Sequence, residues 1–303
     1  MPREREKITI ILNPASGRGR GARRRPELEQ LLRQAAEPRS PDLEWEIVET
    51  GAPGDAIEIS AAAARNGATI VAAAGGDGTL NEVLNGIFGS STRMAVLPLG
   101  TGNDFARTLG FGSDLRSAVV ALFHGRSRPV DVGKIHGRWF LNVAECGFDA
   151  AVGVRVNEGF RYLTGTWAYI AALLQTLRTF RPINLTLTID GEARQTDVMM
   201  CTVCNAQLYG GGMRIAPDAS IDDGLFDICI IEAVGKLELI SAFPSVYKGT
   251  HTRHPRVTML RGATVRIESE RPLPIVADGD LTGKTPAEFT IMPRAIEIMV
   301  PEG

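Results

Sequence analysis

The segment Gly75-Gly76-Asp77-Gly78-Thr79-Leu80-Asn81-Glu82 follows directly on the apolar run Ala68–Ala74. A run of that kind reads as a buried strand, and it ends in three glycines around one aspartate. Leu80, Val83, Leu84 and Ile87 then recur at helical spacing, so a helix begins at once. Thr79 and Glu82 have the T-x-x-E spacing of a capping box. Glycine lets backbone approach a ligand closely, and a helix start presents free N–H groups and positive potential. Asp77 opposes a simple anion hole unless a cation lies between it and the anion. Strand, glycines, aspartate and helix together suggest a nucleotide phosphate site with Mg²⁺.

Two further glycine loops share this pattern. The strand Lys7–Leu12 ends in Asn13-Pro14-Ala15-Ser16-Gly17-Arg18-Gly19-Arg20-Gly21, where glycines alternate with arginines. Arg18, Arg20, Arg23, Arg24 and Arg25 form the densest basic cluster, suited to phosphates or to anionic headgroups, with residues 23–25 read as surface arginines. The strand Met94–Leu97 ends in Pro98-Leu99-Gly100-Thr101-Gly102-Asn103-Asp104-Phe105. There Thr101 and Asp104 have capping spacing, and Thr101 and Asn103 could reach phosphate or ribose.

Strands alternate with helices as far as about Arg126, which argues for a parallel sheet covered on both faces. Ligands of such sheets gather beyond the carboxyl ends of the strands, where all three loops fall. The expected helices cover Pro26–Ala36, Ala56–Asn66, Phe105–Leu109 and Leu115–Phe123, with a further strand at Trp45–Val48. Beyond Arg126 come short strands with Gly and Asp turns, among them Leu185–Ile189 and Val198–Val203 around Asp190-Gly191. Phe289–Met292 and Ile296–Val300 read as two separate strands. This half predicts an antiparallel sandwich, interrupted by a helix over Trp167–Phe180. The expected domains are 1–128 and 129–303.

At 303 residues and 44% hydrophobic content the chain suits two globular domains. A net charge of −2 gives no global field toward nucleic acid. The start of the chain has no apolar signal region, and the longest uncharged stretch, Tyr162–Leu177, is too short and polar to span a bilayer. Cys201 and Cys204 are three apart in a β-like run, so they face opposite sides; buried thiols in a reducing cytoplasm are expected. His251 and His254, without neighbouring metal ligands, read as a surface loop. Asp218, Asp222 and Asp223 around Gly224 suit Mg²⁺ or Ca²⁺, or a plain acidic turn. Gly210-Gly211-Gly212 admits close lipid approach or a bulge.

In this order and spacing, NPASGRG, GGDGTLNEVLNG and PLGTGNDFAR closely resemble the diacylglycerol kinase catalytic domain, in particular soluble bacterial lipid kinases. The resemblance continues through Asn142–Asp149, Tyr209–Met213, Ala216–Phe226 and Ala277–Asp280, nearly the whole chain. It implies a Rossmann-like α/β domain, a β-sandwich domain and an active site in the cleft between them. It implies ATP contacts from Asn13, Pro14, Ala15, Ser16, Gly17, Thr50, Gly75, Gly76, Asp77, Gly78, Thr79, Leu80, Asn81 and Thr101. Asp77 would hold the catalytic Mg²⁺. A structural Mg²⁺ or Ca²⁺ would take Asp223 and the carbonyls of Ser220 and Leu225. The family's general base lies in an Asp-Gly-Glu segment, here Asp278-Gly279-Asp280 and one methylene shorter. Asp280 is the expected base and Asp278 a ligand or alternate base. The expected reaction is phosphorylation of a lipid hydroxyl, diacylglycerol first, by a cytoplasmic protein peripheral to the inner face of the membrane, with room for a homodimer. The alternatives are an NAD kinase-like enzyme on a soluble substrate, or a nucleotide-binding regulator without turnover.

Overall fold

The structure, a computed structural model, describes residues 6–39, 43–148, 150–152, 175–176 and 180–302. The chain forms two compact units, Met1–Val132 together with Pro293–Gly303, and Gly133–Met292.

The first unit alternates β1 (Glu6–Leu12), α1 (Ser16–Ala36), β2 (Leu43–Glu49), α2 (Asp55–Arg65), β3 (Ile70–Gly75), α3 (Asp77–Ile87) and β4 (Arg93–Pro98). The short α4 (Asp104–Thr108), α5 (Leu115–His124) and the start of β5 (Arg126–Ile135) follow. The strands run parallel in the order β2-β1-β3-β4, with Leu12 opposite Glu49 and Ala74, and Gly75 opposite Pro98. Ile8, Ile10, Ile11 and Leu12 of β1 and every residue of β3 are buried, as a strand covered on both faces requires. This parallel order brings the carboxyl ends of β1, β3 and β4 to one edge.

The second unit is antiparallel. It contains β6 (Arg138–Phe140), β7 (Val143–Gly147), β8 (Ile183–Ile189), β9 (Glu192–Cys204), β10 (Leu208–Tyr209), β11 (Met213–Arg214) and β12 (Phe226–Glu232). Helix α6 (Lys236–Tyr247), β13 (Val257–Gly262), β14 (Thr264–Ser269), β15 (Pro274–Ala277), β16 (Asp280–Lys284) and the first part of β17 (Ala287–Val300) complete it. Strand β9 pairs with β8 through its first half and with β7 and β12 through its second. Asp190 and Gly191, both at positive φ, make the two-residue turn that matches strand twist. Opposite faces of β9 feed two apolar clusters: Cys201 joins Phe140, Phe226 and Phe289, while Cys204 joins Tyr209, Met213 and α6. All four cysteines are free and buried.

One expectation changes. Phe289–Met292 and Ile296–Val300 lie in one strand, β17, with Arg294 in the left-handed region at its middle. Pro293 and this kink break the apolar pattern without ending the strand, and the Arg294 amide donates to the fully buried Asp131 at 2.7 Å. After the kink the chain rejoins the first unit, where Ile298 sits parallel to Met94. The compact first unit thus takes in residues 293–303 as well. The helix expected over Trp167–Phe180 lies outside the described residues except at 175–176 and Phe180. No helix among the described residues is long and apolar enough to cross a membrane.

Ile298 is fully buried in the first unit. Ile298→Ala should therefore cost about 2–5 kcal/mol in urea unfolding, and a loss below about 1 kcal/mol would contradict this placement.

Candidate active site

The three glycine loops meet by backbone contact. The Gly75 carbonyl accepts the amides of both Leu99, at 2.8 Å, and Gly100, at 3.0 Å. The Asn13 amide donates to the Ala74 carbonyl at 3.0 Å, and Asn13 Nδ2 donates to Thr79 Oγ1 at 3.0 Å. Asn13 Oδ1 accepts the Ala15 amide at 3.0 Å, which folds the first loop over its own asparagine. A Cβ on Gly100 would overlap the Cα of Gly76, so the loops approach to backbone distance only with glycine there. Gly17 has φ +59°, and a Cβ on it would lie 2.5 Å from the Leu99 carbonyl oxygen. Arg18, at φ 60°, holds a left-handed conformation that costs a non-glycine residue about 1–3 kcal/mol. Strain of this kind gathers at ligand clamps.

Side chains complete the edge. Arg20 Nη1 donates to the Gly100 carbonyl at 3.2 Å, joining the first loop to the third. Asn103 Oδ1 accepts the Gly100 amide at 2.9 Å. Asp77 opens α3, and its Oδ1 accepts the Phe105 amide at 3.1 Å; nothing in the sequence signals that bond. Thr50 lies at the end of β2, its amide on the Leu12 carbonyl at 3.0 Å. Arg24 and Arg25 pair with Glu27, Glu29 and Glu49, as surface arginines do.

Neither capping reading holds. Gly76 is the N-cap of α3, so Thr79 stands inside the first turn and its hydroxyl faces Asn13 instead. Glu82 accepts the amides of Gly54, at 3.0 Å, and Ala56, at 3.2 Å, at the start of α2. Asn103, not Thr101, is the N-cap of α4. The edge thus collects Asn13, Pro14, Ala15, Ser16, Gly17, Gly75, Gly76, Asp77, Gly78 and Thr101. Leu80 and Asn81 are buried in α3; Asn81 accepts twice from Asn85 Nδ2.

In the second unit, Asp278 and Gly279 form the positive-φ turn between β15 and β16. The Asp278 carboxylate accepts the amides of Leu141, Asn142 and Val143 at 2.8, 2.9 and 3.2 Å. It is a structural acceptor for the turn before β7. Asp280 differs: its side chain is 54% exposed and lies 3.8 Å from Arg138.

Residues 7–135 match the diacylglycerol kinase catalytic domain, and residues 142–300 match the YegS C-terminal NAD kinase beta sandwich-like domain. A diacylglycerol kinase of Staphylococcus aureus (strain bovine RF122 / ET3-1) is 31% identical over 98% of this chain and 93% of its own. The chain belongs to the diacylglycerol kinase family. The same identity and coverage hold for the diacylglycerol kinase of strain MRSA252. A crystal structure of a diacylglycerol kinase from Bacillus anthracis str. Sterne shares the fold at TM-score 0.74 and 21% identity, over 99% of this chain and 98% of that one. That of a candidate diacylglycerol kinase from the same organism reaches TM-score 0.79 at 24% identity, over 99% and 97%.

Membership of this kinase family implies ATP and a divalent cation. Asp77 fits a cation: one carboxylate oxygen is oriented by the Phe105 amide, and the other takes no hydrogen bond from the described residues. At Asp223, where a second metal is expected, the carboxylate has protein partners. Asp223 Oδ1 accepts the Leu225 amide at 3.1 Å, and Oδ2 is bonded to the Arg261 guanidinium. Arg261 also lies 3.5 Å from Asp227, whose carboxyl is pushed up by burial and held down in part by that guanidinium. No cluster of three His, Cys, Asp or Glu residues suited to a metal occurs among the described residues.

An apolar cavity of about 70 Å³ lies within the second unit, lined by Phe148, Met200, Tyr209, Met213, Ile215 and Phe243 among others. Tyr209 and Met213 bracket the three glycines of the β10–β11 turn, all at positive φ. His251 lines this cavity and is buried, contrary to the surface loop expected. Its Nε2 lies 3.1 Å from the Ile215 carbonyl, and burial pushes its pKa below the ordinary histidine value. His254 does remain at the surface, 3.3 Å from Glu238.

Gly100→Ala should part the loops and weaken binding of a fluorescent ATP analogue by about tenfold or more. Unchanged affinity would show that the loops need not touch.

Proposed function

We propose that this chain transfers the γ-phosphate of ATP to a lipid hydroxyl, with diacylglycerol as acceptor and phosphatidic acid as product. The observation that carries the lipid reading is the apolar cavity behind Tyr209 and Met213. Hydrocarbon gains from such a wall, whereas the dinucleotide of an NAD kinase-like reaction would bring charge to it without partners.

Amides and glycines of the loops after β1, β3 and β4 would cradle the triphosphate, with Asn13, Ser16 and Thr101 as polar contacts and Thr50 beside them. Asp77 would hold Mg²⁺, which when bound neutralises charge on the transferred group. Asp280 is the carboxylate proposed to accept the proton of the lipid hydroxyl as its oxygen bonds to phosphorus and ADP departs. A base of this kind contributes about 10²–10⁴-fold. Asp278 does not compete for the role, because three amides already occupy its oxygens. A lipid acceptor places the reaction at a membrane surface, with the inner face of the membrane as the setting proposed for a cytoplasmic protein.

Labelled ATP offered with diacylglycerol in mixed micelles, and separately with NAD, tests this reading. Phosphatidic acid should carry the label, and Asp280→Asn should lower kcat by about 10²-fold or more with ATP affinity unchanged. Label in NAD alone would replace the lipid reading. ATP binding without transfer to any lipid extract would make the chain a regulator.

A further inference from the structure

Helix α6 is apolar on both sides. Leu239, Ala242, Phe243 and Val246 line the cavity of the second unit. Leu237, 84% exposed, and Tyr247, 47% exposed, do not line it, while Ile240, 43% exposed, stands at its lining. The large hydrophobic side chains exposed among the described residues are these three with Val120 and Leu281, so most of them fall on one helix. An ordinary surface helix shows a polar outer face; large apolar side chains gathered on an exposed one mark a surface to be covered.

Charge around this face favours an anionic partner. From Glu232 to Arg256 the chain carries Lys236, Lys248, Arg253 and Arg256 against Glu232 and Glu238, within a protein of net charge −2. The two carboxylates have partners in the same segment: Glu238 lies 3.3 Å from the His254 ring and Glu232 3.5 Å from the Arg256 guanidinium. Lys236 and Lys248 stand at the two ends of the apolar stripe, the arrangement of helices that lie in a lipid interface.

The cavity beneath points to a bilayer as the occupant. At about 70 Å³ it is smaller than the roughly 150 Å³ cavity that takes one benzene, so a lipid chain enters only if a wall moves. Helix α6 is that wall in part. A bilayer supplies the chain and, at the same time, an apolar medium for the outer face of the displaced helix. We infer that the outer face of α6, through Leu237 and Tyr247, docks on an anionic lipid bilayer and makes this helix the gate of the cavity. This rests on the lipid reading of the cavity and adds the surface by which the lipid is reached.

The test uses the full chain with phosphatidylcholine vesicles made with and without phosphatidylglycerol. The parent should sediment with the anionic vesicles. Leu237→Glu combined with Tyr247→Glu, neither of which lines the cavity, should weaken that binding by more than about tenfold. Its turnover of a monomeric short-chain diacylglycerol should stay within about twofold of the parent. Vesicle binding equal to the parent overturns the inference. An equal loss on monomeric substrate also overturns it, because the helix then acts on the fold alone. A parent that is dimeric while the variant is monomeric hands the face to a second copy. Vesicle binding is read without turnover, so a failure of the kinase reading would show as binding with no labelled lipid.

Discussion

The Gly75 carbonyl, holding the amides of Leu99 and Gly100 together, is the contact on which the candidate site depends. It closes the gap between the loops after β3 and β4, and Asn13 ties the loop after β1 to the same turn. These bonds are made largely by backbone, so the edge keeps its form whatever side chains surround it. Glycine at residues 76 and 100 is the steric condition, since a methyl on Gly100 would occupy its neighbour. The result is a rim of amides and a helix start, with one oriented carboxylate, Asp77. That combination favours a phosphate together with a cation, and an anion alone far less.

The second unit applies a different economy. Its long strand β9 pairs along both halves, and period two sends alternate side chains into two apolar layers. One layer is closed by the stacked pair Phe140 and Phe226, whose rings are 5.8 Å apart. The other is closed in part by α6, and the cavity lies there. The turn Asp278-Gly279 shows how one acidic pair divides its labour. Asp278 secures three amides, while Asp280, next in the hairpin, stays open to solvent.

The strands of the first unit and its three loops were legible because each combines an apolar run, glycines and a helical period within a few residues. Local spacing misled where a distant partner won. Thr79 and Glu82 look like a mutual cap, yet Asn13 takes one and the start of α2 takes the other. The contact of Asp223 with Arg261, distant in sequence, likewise has no local signal. His251 is polar and near other basic residues, so nothing local announces that it lines a cavity. The return of β17 to Met94 is a long-range pairing whose only local trace is an apolar run after Pro293. The family's order of motifs, in contrast, spans nearly the whole chain and carried the fold with it.

Hydrogen–deuterium exchange with and without a non-hydrolysable ATP analogue and Mg²⁺ tests the central claim most directly. The account predicts that amides of residues 13–17, 75–79 and 99–103 slow together when the nucleotide binds. Protection confined to other segments, or to only one of these loops, would contradict it.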